Sequence, residues 1–178
     1  MIGKLFIVAT PIGNLNDITY RAIETLKNVD IVLAEDTRHS KKLFVHFEIS
    51  TPLKAFHEHN EREKTDSIIS ELNSGISIAL ISDAGTPLIS DPGYFLVSHA
   101  KKEGIEVVPI PGPSAIITAL SASGLASNSF SFFGFLPSKK IARIKYLQNK
   151  TALNETIIFY ESPKRILATL TDMLEVFG

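Results

Sequence analysis

Four stretches of this sequence combine glycine, proline, hydroxyls and carboxylates, and each directly follows a short apolar run. They are Thr10-Pro11-Ile12-Gly13-Asn14, Glu35-Asp36-Thr37-Arg38, the long SDAGTPLISDPG segment at 82–93, and Pro111-Gly112-Pro113-Ser114-Ala115. Glycine lets a ligand approach the backbone and proline stiffens the path, so these residue types suit a site for a small polar molecule. A plainer reading stands beside it: each loop alone is also a tight strand-to-helix turn, Ser114 a helix N-cap and 35–38 a surface ion-pair turn. Other chemistries lack their signatures. No G-x-G-x-x-G follows a strand, and no P-loop, H-E-x-x-H or G-x-S-x-G occurs. His57-Glu58-His59 does not have the spacing of a metal site, and with no cysteine there is no thiolate zinc site and no thiol nucleophile. No metal is expected.

The elements that would hold these loops alternate between short β-branched runs and segments of helical period. Strands are expected at 4–10, 31–34, 52–56, 77–81 and 106–110. Helices are expected at 18–27 with Asp17 as N-cap, at 40–47, at 61–74 behind an Asn60/Glu63 capping box, at 94–103 and at 114–123. This alternation implies an α/β fold, an open, mostly parallel sheet with flanking helices. In such a sheet ligands bind at the carboxyl ends of the strands, where all four loops lie. Near residue 126 the character changes. An aromatic strand at 130–135 leads to a basic helix at 138–150, a strand at 156–160, and a helix from Ser162 as cap and Pro163 in the first turn to Phe177. The expected organisation is an N-terminal domain at 1–122, a hinge at 123–128 and a second, incomplete α/β domain at 129–178.

Composition supports a globular protein: 178 residues, 44% hydrophobic and 21% charged. No apolar run approaches the ~18 residues of a membrane span, and a cytoplasmic location without membrane contact is expected. The net charge of −1 argues against bulk electrostatic coating of nucleic acid. It conceals a split: residues 1–127 carry 11 basic and 15 acidic groups, residues 128–178 carry 7 and 4. The 137–150 segment holds Lys139, Lys140, Arg143, Lys145 and Lys150 and no acid; Arg38, His39, Lys41 and Lys42 form a second cluster. On composition such runs are also ordinary solvated helix faces.

ATPIGNLNDIT (9–19), AEDTRHSKKL (34–43), LISDAGTPLISDPG (80–93), PGPSA (111–115), FFGFLPSKK (132–140) and FYESPKR (159–165) occur in the order in which they stand in one family. The sequence resembles the tetrapyrrole-methylase-like class of S-adenosylmethionine methyltransferases, and within it the branch acting on small-subunit ribosomal RNA. The resemblance implies two α/β domains, S-adenosylmethionine as cofactor, a homodimer, and 2′-O-methylation of a cytidine ribose in 16S ribosomal RNA. Members of the class continue well beyond the position of Gly178, so the chain is expected to be short within its second domain.

Residue by residue, the resemblance assigns the methionine part of the cofactor to Asp83, Ala84, Gly85, Thr86 and Pro87. Ser114 and Ala115 form a second contact, Pro11 and Ile12 bound the pocket, and Phe159 and Tyr160 come from the second domain, with Tyr160 the cofactor-binding candidate. Loop amides would bind a carboxylate and Asp83 an amine, although Asp83 equally caps its own loop. For methyl transfer the protein has to align the 2′-oxygen and remove its proton. Asp36, Glu161 and His39 are the candidate bases, with Arg38 holding a phosphate. RNA contacts are assigned to Arg38, Lys41, Lys42, Lys139, Lys140 and Arg143. Two alternatives stay open: the same fold and cofactor with a tetrapyrrole acceptor, and a non-catalytic cofactor-binding fragment.

Overall fold

The computed structural model describes residues 2–178 and divides into two compact units, one ending at Ala115 and the other spanning Ile116–Gly178. In the first unit, strands β1 (Leu5–Val8), β2 (Ile31–Ala34), β3 (Leu53–Ala55), β4 (Ile78–Ile81) and β5 (Val107–Ile110) form one parallel sheet in the order β3-β2-β4-β1-β5. Helices α1 (Tyr20–Asn28), α2 (Thr37–His46), α3 (Glu61–Asn73) and α4 (Tyr94–Lys102) connect them.

The central strands are apolar along their whole length because both faces are covered. Alternate residues separate cleanly: Val32, Ala34, Ala79 and Ile81 pack on one face with Ala22 and Leu26 of α1 and with Leu43 and Phe44 of α2. Leu33, Ile78 and Leu80 pack on the other with Ile68 and Leu72 of α3 and with Leu96 and Ala100 of α4. β1 and β4 are neighbours, yet the chain leaves β1 into a helix on the first face and leaves β4 into a helix on the second. That reversal is the crevice where α/β sheets bind ligands.

Helix starts depart from the sequence expectation in three places. Asp17 lies in a 3₁₀ turn (Leu15–Asp17), and α1 is capped by Thr19, whose Oγ1 accepts from the Ala22 amide. Asn60 makes no side-chain cap on α3; its Oδ1 accepts instead from the His57 amide, which closes the preceding turn. The second helix begins earlier than expected, at Thr37, because Asp36 caps it through the Arg38 amide.

In the second unit β6 (Phe130–Phe135) pairs in parallel with β7 (Thr156–Tyr160), joined by α6 (Lys140–Gln148). Helices α5 (Ala115–Ser123) and α7 (Ile166–Phe177) complete it. Ser162–Arg165 forms a separate turn, with the Arg165 amide on the Ser162 carbonyl, so α7 starts four residues after the expected cap. α6 and α7 are joined by a buried ion pair between Arg143 and Asp172, and α7 leaves Leu167, Leu170 and Leu174 exposed. No helix among the described residues is long and apolar enough to cross a membrane.

Candidate functional site

The four strand-end loops of the first unit are tied to one another. The Thr10 amide donates to the Gly85 carbonyl (2.9 Å) and the Gly85 amide to the Thr10 carbonyl (3.0 Å), an isolated antiparallel bridge across the β1/β4 crevice. Thr10 Oγ1 donates to the Ser82 carbonyl at 3.1 Å. The Asp36 amide donates to Asp83 Oδ1 at 3.1 Å, which joins the β2 loop to the β4 loop. Thr86 Oγ1 donates to the Pro113 carbonyl at 3.4 Å, which brings in the β5 loop. Gly85 has φ +80°, a conformation that L side chains rarely adopt.

The 82–93 loop is also strained and clamped. Leu88 (φ 72°) and Ser90 (φ 68°) are non-glycine residues in the left-handed region, each at a cost of about 1–3 kcal/mol. At its end, Glu61 Oε1 from the first turn of α3 accepts from the amides of Gly93, Phe95 and Leu96 at 3.1, 2.9 and 3.3 Å. One carboxylate thus satisfies three orphan donors at the N-terminus of α4. Gly93 (φ +127°) has no room for a side chain, since a Cβ there would lie 2.6 Å from Leu80 Cδ2.

Carboxylates converge on this edge with opposite electrostatic outcomes. Burial raises the Glu35 carboxyl above its ordinary value, and the charges of Asp83, Asp91, Glu58 and Asp36 add to the effect. Burial likewise raises Asp91 against an opposing hydrogen bond from Ser82, with Asp83 adding repulsion. Asp36 goes the other way, to about 2, because the Arg38 side chain and amide donate to it. Arg38 grips Asp36 through Nε (3.2 Å) and Nη2 (3.0 Å) while remaining largely in solvent. The sequence assigns no individual role to Glu35, Asp91 or Glu61, although Glu35 and Asp91 lie within the loop motifs and Glu61 opens the helix behind them.

The first unit brings together Pro11, Asp36, Arg38, Asp83, Ala84, Gly85, Thr86, Pro87, Ser114 and Ala115 on its loop edge. Lys41 and Lys42 lie exposed on α2. Among the described residues the amides of Ala84 and Thr86 donate to no protein group, so this loop has spare donors for an anionic ligand.

In the second unit, Phe159 and Tyr160 point into different ring clusters, as alternation along a strand requires. Phe159 stacks with Phe133 at 5.8 Å, and Tyr160 meets Phe132 at 4.7 Å and Phe135 at 5.5 Å. Glu161 is fully engaged, accepting from the Thr169 hydroxyl (2.6 Å) and the Ser162 amide (2.6 Å) and pairing with Arg165 (2.6 Å). Burial alone would raise its carboxyl, but these partners outweigh it and hold the group below its usual range. Arg143 lies inside the unit, with Nε and Nη2 on Asp172 Oδ2 at 2.7 and 2.6 Å and Nη1 on the carbonyls of Pro137 and Ser138. With four of its five N–H groups engaged and its side chain only 5% exposed, it is not presented to RNA, which corrects its place in the expected RNA-binding set. Lys140 stays exposed near Asp172 and Glu175, Lys139 is exposed, and Lys150 sits over the Phe133 ring at 3.7 Å.

Residues 4–178 match the family of tetrapyrrole (corrin/porphyrin) methylases. The chain is 59% identical over 174 residues to the ribosomal RNA small subunit methyltransferase I of Vibrio cholerae serotype O1, covering 98% of this chain and 60% of that protein. It is 58% identical over 176 residues to the protein of that name from Pseudomonas aeruginosa, covering 99% and 62%. Among solved structures it superposes on uroporphyrin-III C-methyltransferase from Thermus thermophilus, complexed with S-adenosylhomocysteine, with a TM-score of 0.65 at 17% identity. That match covers 99% of this chain and 78% of that one. The chain therefore spans about 60% of the length of the curated relatives it matches.

Proposed function

Because this chain belongs to the tetrapyrrole methylase family, we propose that it methylates small-subunit ribosomal RNA, with S-adenosylmethionine as donor and a cytidine ribose 2′-hydroxyl as acceptor. The observation that carries this reading is the 59% identity to a ribosomal RNA methyltransferase across almost the entire chain. The interlocked loop edge supplies the chemistry. The spare amides of Ala84 and Thr86 are donors for the carboxylate of the donor molecule. Asp83, with one oxygen on the Asp36 amide, has its other oxygen for the amine. Gly85, Pro87, Ser114 and Ala115 line the approach, and Pro11 bounds it. Bound S-adenosylmethionine would supply a methyl group on a positively charged sulfur, already activated for transfer to an oxygen nucleophile.

The chain's own task is to orient the hydroxyl and take its proton. Asp36, held at about 2 by Arg38, and Glu161, held low by Thr169, Ser162 and Arg165, are weak proton acceptors at neutral pH. The Glu35–Asp83–Asp91 group is the better acceptor, because burial and mutual repulsion push Glu35 and Asp91 upward. Arg38, Lys41, Lys42, Lys139 and Lys140 meet the RNA phosphates. The protein works as a homodimer in the cytoplasm.

The test has two stages. Calorimetry with S-adenosylhomocysteine reads cofactor binding. Transfer of labelled methyl groups is then measured on small ribosomal subunits that lack the modification, beside a uroporphyrinogen substrate. Label recovered as 2′-O-methylcytidine supports the proposal, and label in the macrocycle alone overturns it.

A further inference from the structure

We propose that the cavity between the β1 loop and α2 in the first unit receives a single unpaired nucleotide of the RNA acceptor, with its phosphate at Lys42 and His39. The cavity has a volume of about 290 Å³ and is walled by Thr10, Leu15, Ser40, Leu43, Ile81 and Asp83, among others, with His39 and Lys42 at its rim.

Three features point to this occupant. The first is place: Thr10, Ser82 and Asp83 belong both to the cavity wall and to the interlocked loops. A group bound there lies beside the assigned donor site and within reach of the Asp83 carboxylate. The second is size, at the lower end of the about 300–1,000 Å³ of ligand pockets. That is room for one nucleoside and too little for a tetrapyrrole. The third is the lining. Leu15, Leu43 and Ile81 offer an apolar bed, and Thr10, Ser40 and Asp83 place polar groups for base and ribose edges. Neither Lys42 nor His39 has an ion-pair partner among the described residues, so both side chains are available to phosphate. A larger groove of about 670 Å³ lies along α2 and β3, but it meets the four loops only at Thr37, and Asp83 does not line it. Recognition of a splayed-out nucleotide is the usual way in which proteins read single-stranded RNA.

The inference rests on the cofactor assignment above only for its orientation toward the donor, so the two are tested separately. The probes are cytidine 5′-monophosphate, followed by chemical-shift changes in the full chain, and a fluorescent single-stranded RNA 12-mer, followed by anisotropy. Cytidine monophosphate is expected to shift the amides of 10–15 and 39–43. Leu15→Trp, at the half-exposed wall, is expected to abolish that response while leaving S-adenosylhomocysteine affinity within twofold. Lys42→Ala is expected to reduce the slope of log affinity against log salt for the 12-mer by about 0.7, one phosphate contact on a single strand. Shifts confined to other regions, or an unchanged 12-mer affinity in Leu15→Trp, would overturn the inference. So would competition between the nucleotide and S-adenosylhomocysteine, which would make the cavity part of the donor site. Failure of S-adenosylhomocysteine to bind while the nucleotide still marks the cavity would retain the inference and refute the cofactor assignment.

Discussion

Arg143 decides between two readings of the basic segment, and the structure gives the size of the effect. Its side chain is 5% exposed and that of its partner Asp172 is 3% exposed. Replacing Arg143 by Met keeps the aliphatic stem but strands a buried carboxylate, whose remaining cation is Lys140 at 3.6 Å. Breaking a buried pair from one side costs about 3–5 kcal/mol. The carbonyls of Pro137 and Ser138 also lose a donor. Since 1 kcal/mol moves the Tm of a domain of 60–100 residues by about 4–8 °C, the second unit should melt at least about 12 °C lower. Replacing both partners, Arg143→Met with Asp172→Leu, should restore most of the loss, because an apolar pair of similar volume fills the site without a stranded charge. Urea unfolding monitored by circular dichroism, with amide exchange on α6 and α7, reads both variants. RNA affinity of the double variant should match that of the wild type. If Arg143→Met instead unfolds like the wild type and lowers RNA affinity together with its salt dependence, Arg143 is a surface phosphate contact and the argument fails.

Glu35→Gln should make the protein more stable at pH 7. The folded-state carboxyl is raised, so its ionisation disfavours the fold as pH rises through the folded value, and the gain should vanish below about 4.5, as denaturation at pH 4 and 7 will show. Gly93→Ala should cost about 2–5 kcal/mol in urea unfolding, from a left-handed φ combined with a clash against Leu80 and Leu88. Glu61→Ala removes one acceptor shared by three amides and should cost about 1.5–3 kcal/mol while weakening S-adenosylhomocysteine binding several-fold. Glu61→Gln, which keeps an acceptor oxygen, should recover most of that affinity in the same calorimetry.

The strands at 31–34, 130–135 and 156–160 stand where apolar, β-branched and aromatic runs end against polar residues, so composition alone locates them. Helix starts were less legible because capping residues are abundant there. The stretch Asn14-Leu15-Asn16-Asp17-Ile18-Thr19 offers several competent caps, and only packing of Ala22 and Leu26 selects Thr19. The four loops were legible as chemistry, but their mutual pairing was not, since Thr10–Gly85 and Asp36–Asp83 join residues far apart in sequence. Arg143 was misread because local charge density hid its periodicity. It shares the buried face of α6 with Leu147, four residues on, and its counter-ion is the first of the two acids in α7.

The carboxylates of the loop edge are held together by a scaffold that does not itself neutralise them. Thr10, Pro113 and Glu61 fix the 82–93 loop at both ends, so Glu35 and Asp91 stay in a half-buried acidic group although each is raised by it. A cation entering that field favours the charged form of each and lowers both values. A ligand carrying an ammonium and a sulfonium should therefore expel protons as it binds at pH 5, and fewer as the pH is raised. Calorimetry in two buffers of different ionisation enthalpy measures this directly. S-adenosylmethionine should release more protons than S-adenosylhomocysteine, which has one positive charge fewer, and Glu35→Gln should reduce the difference. Proton uptake, or heats independent of buffer at pH 5, would mean that the ligand does not approach these carboxylates, and the placement of the donor on the 82–93 loop would have to be abandoned.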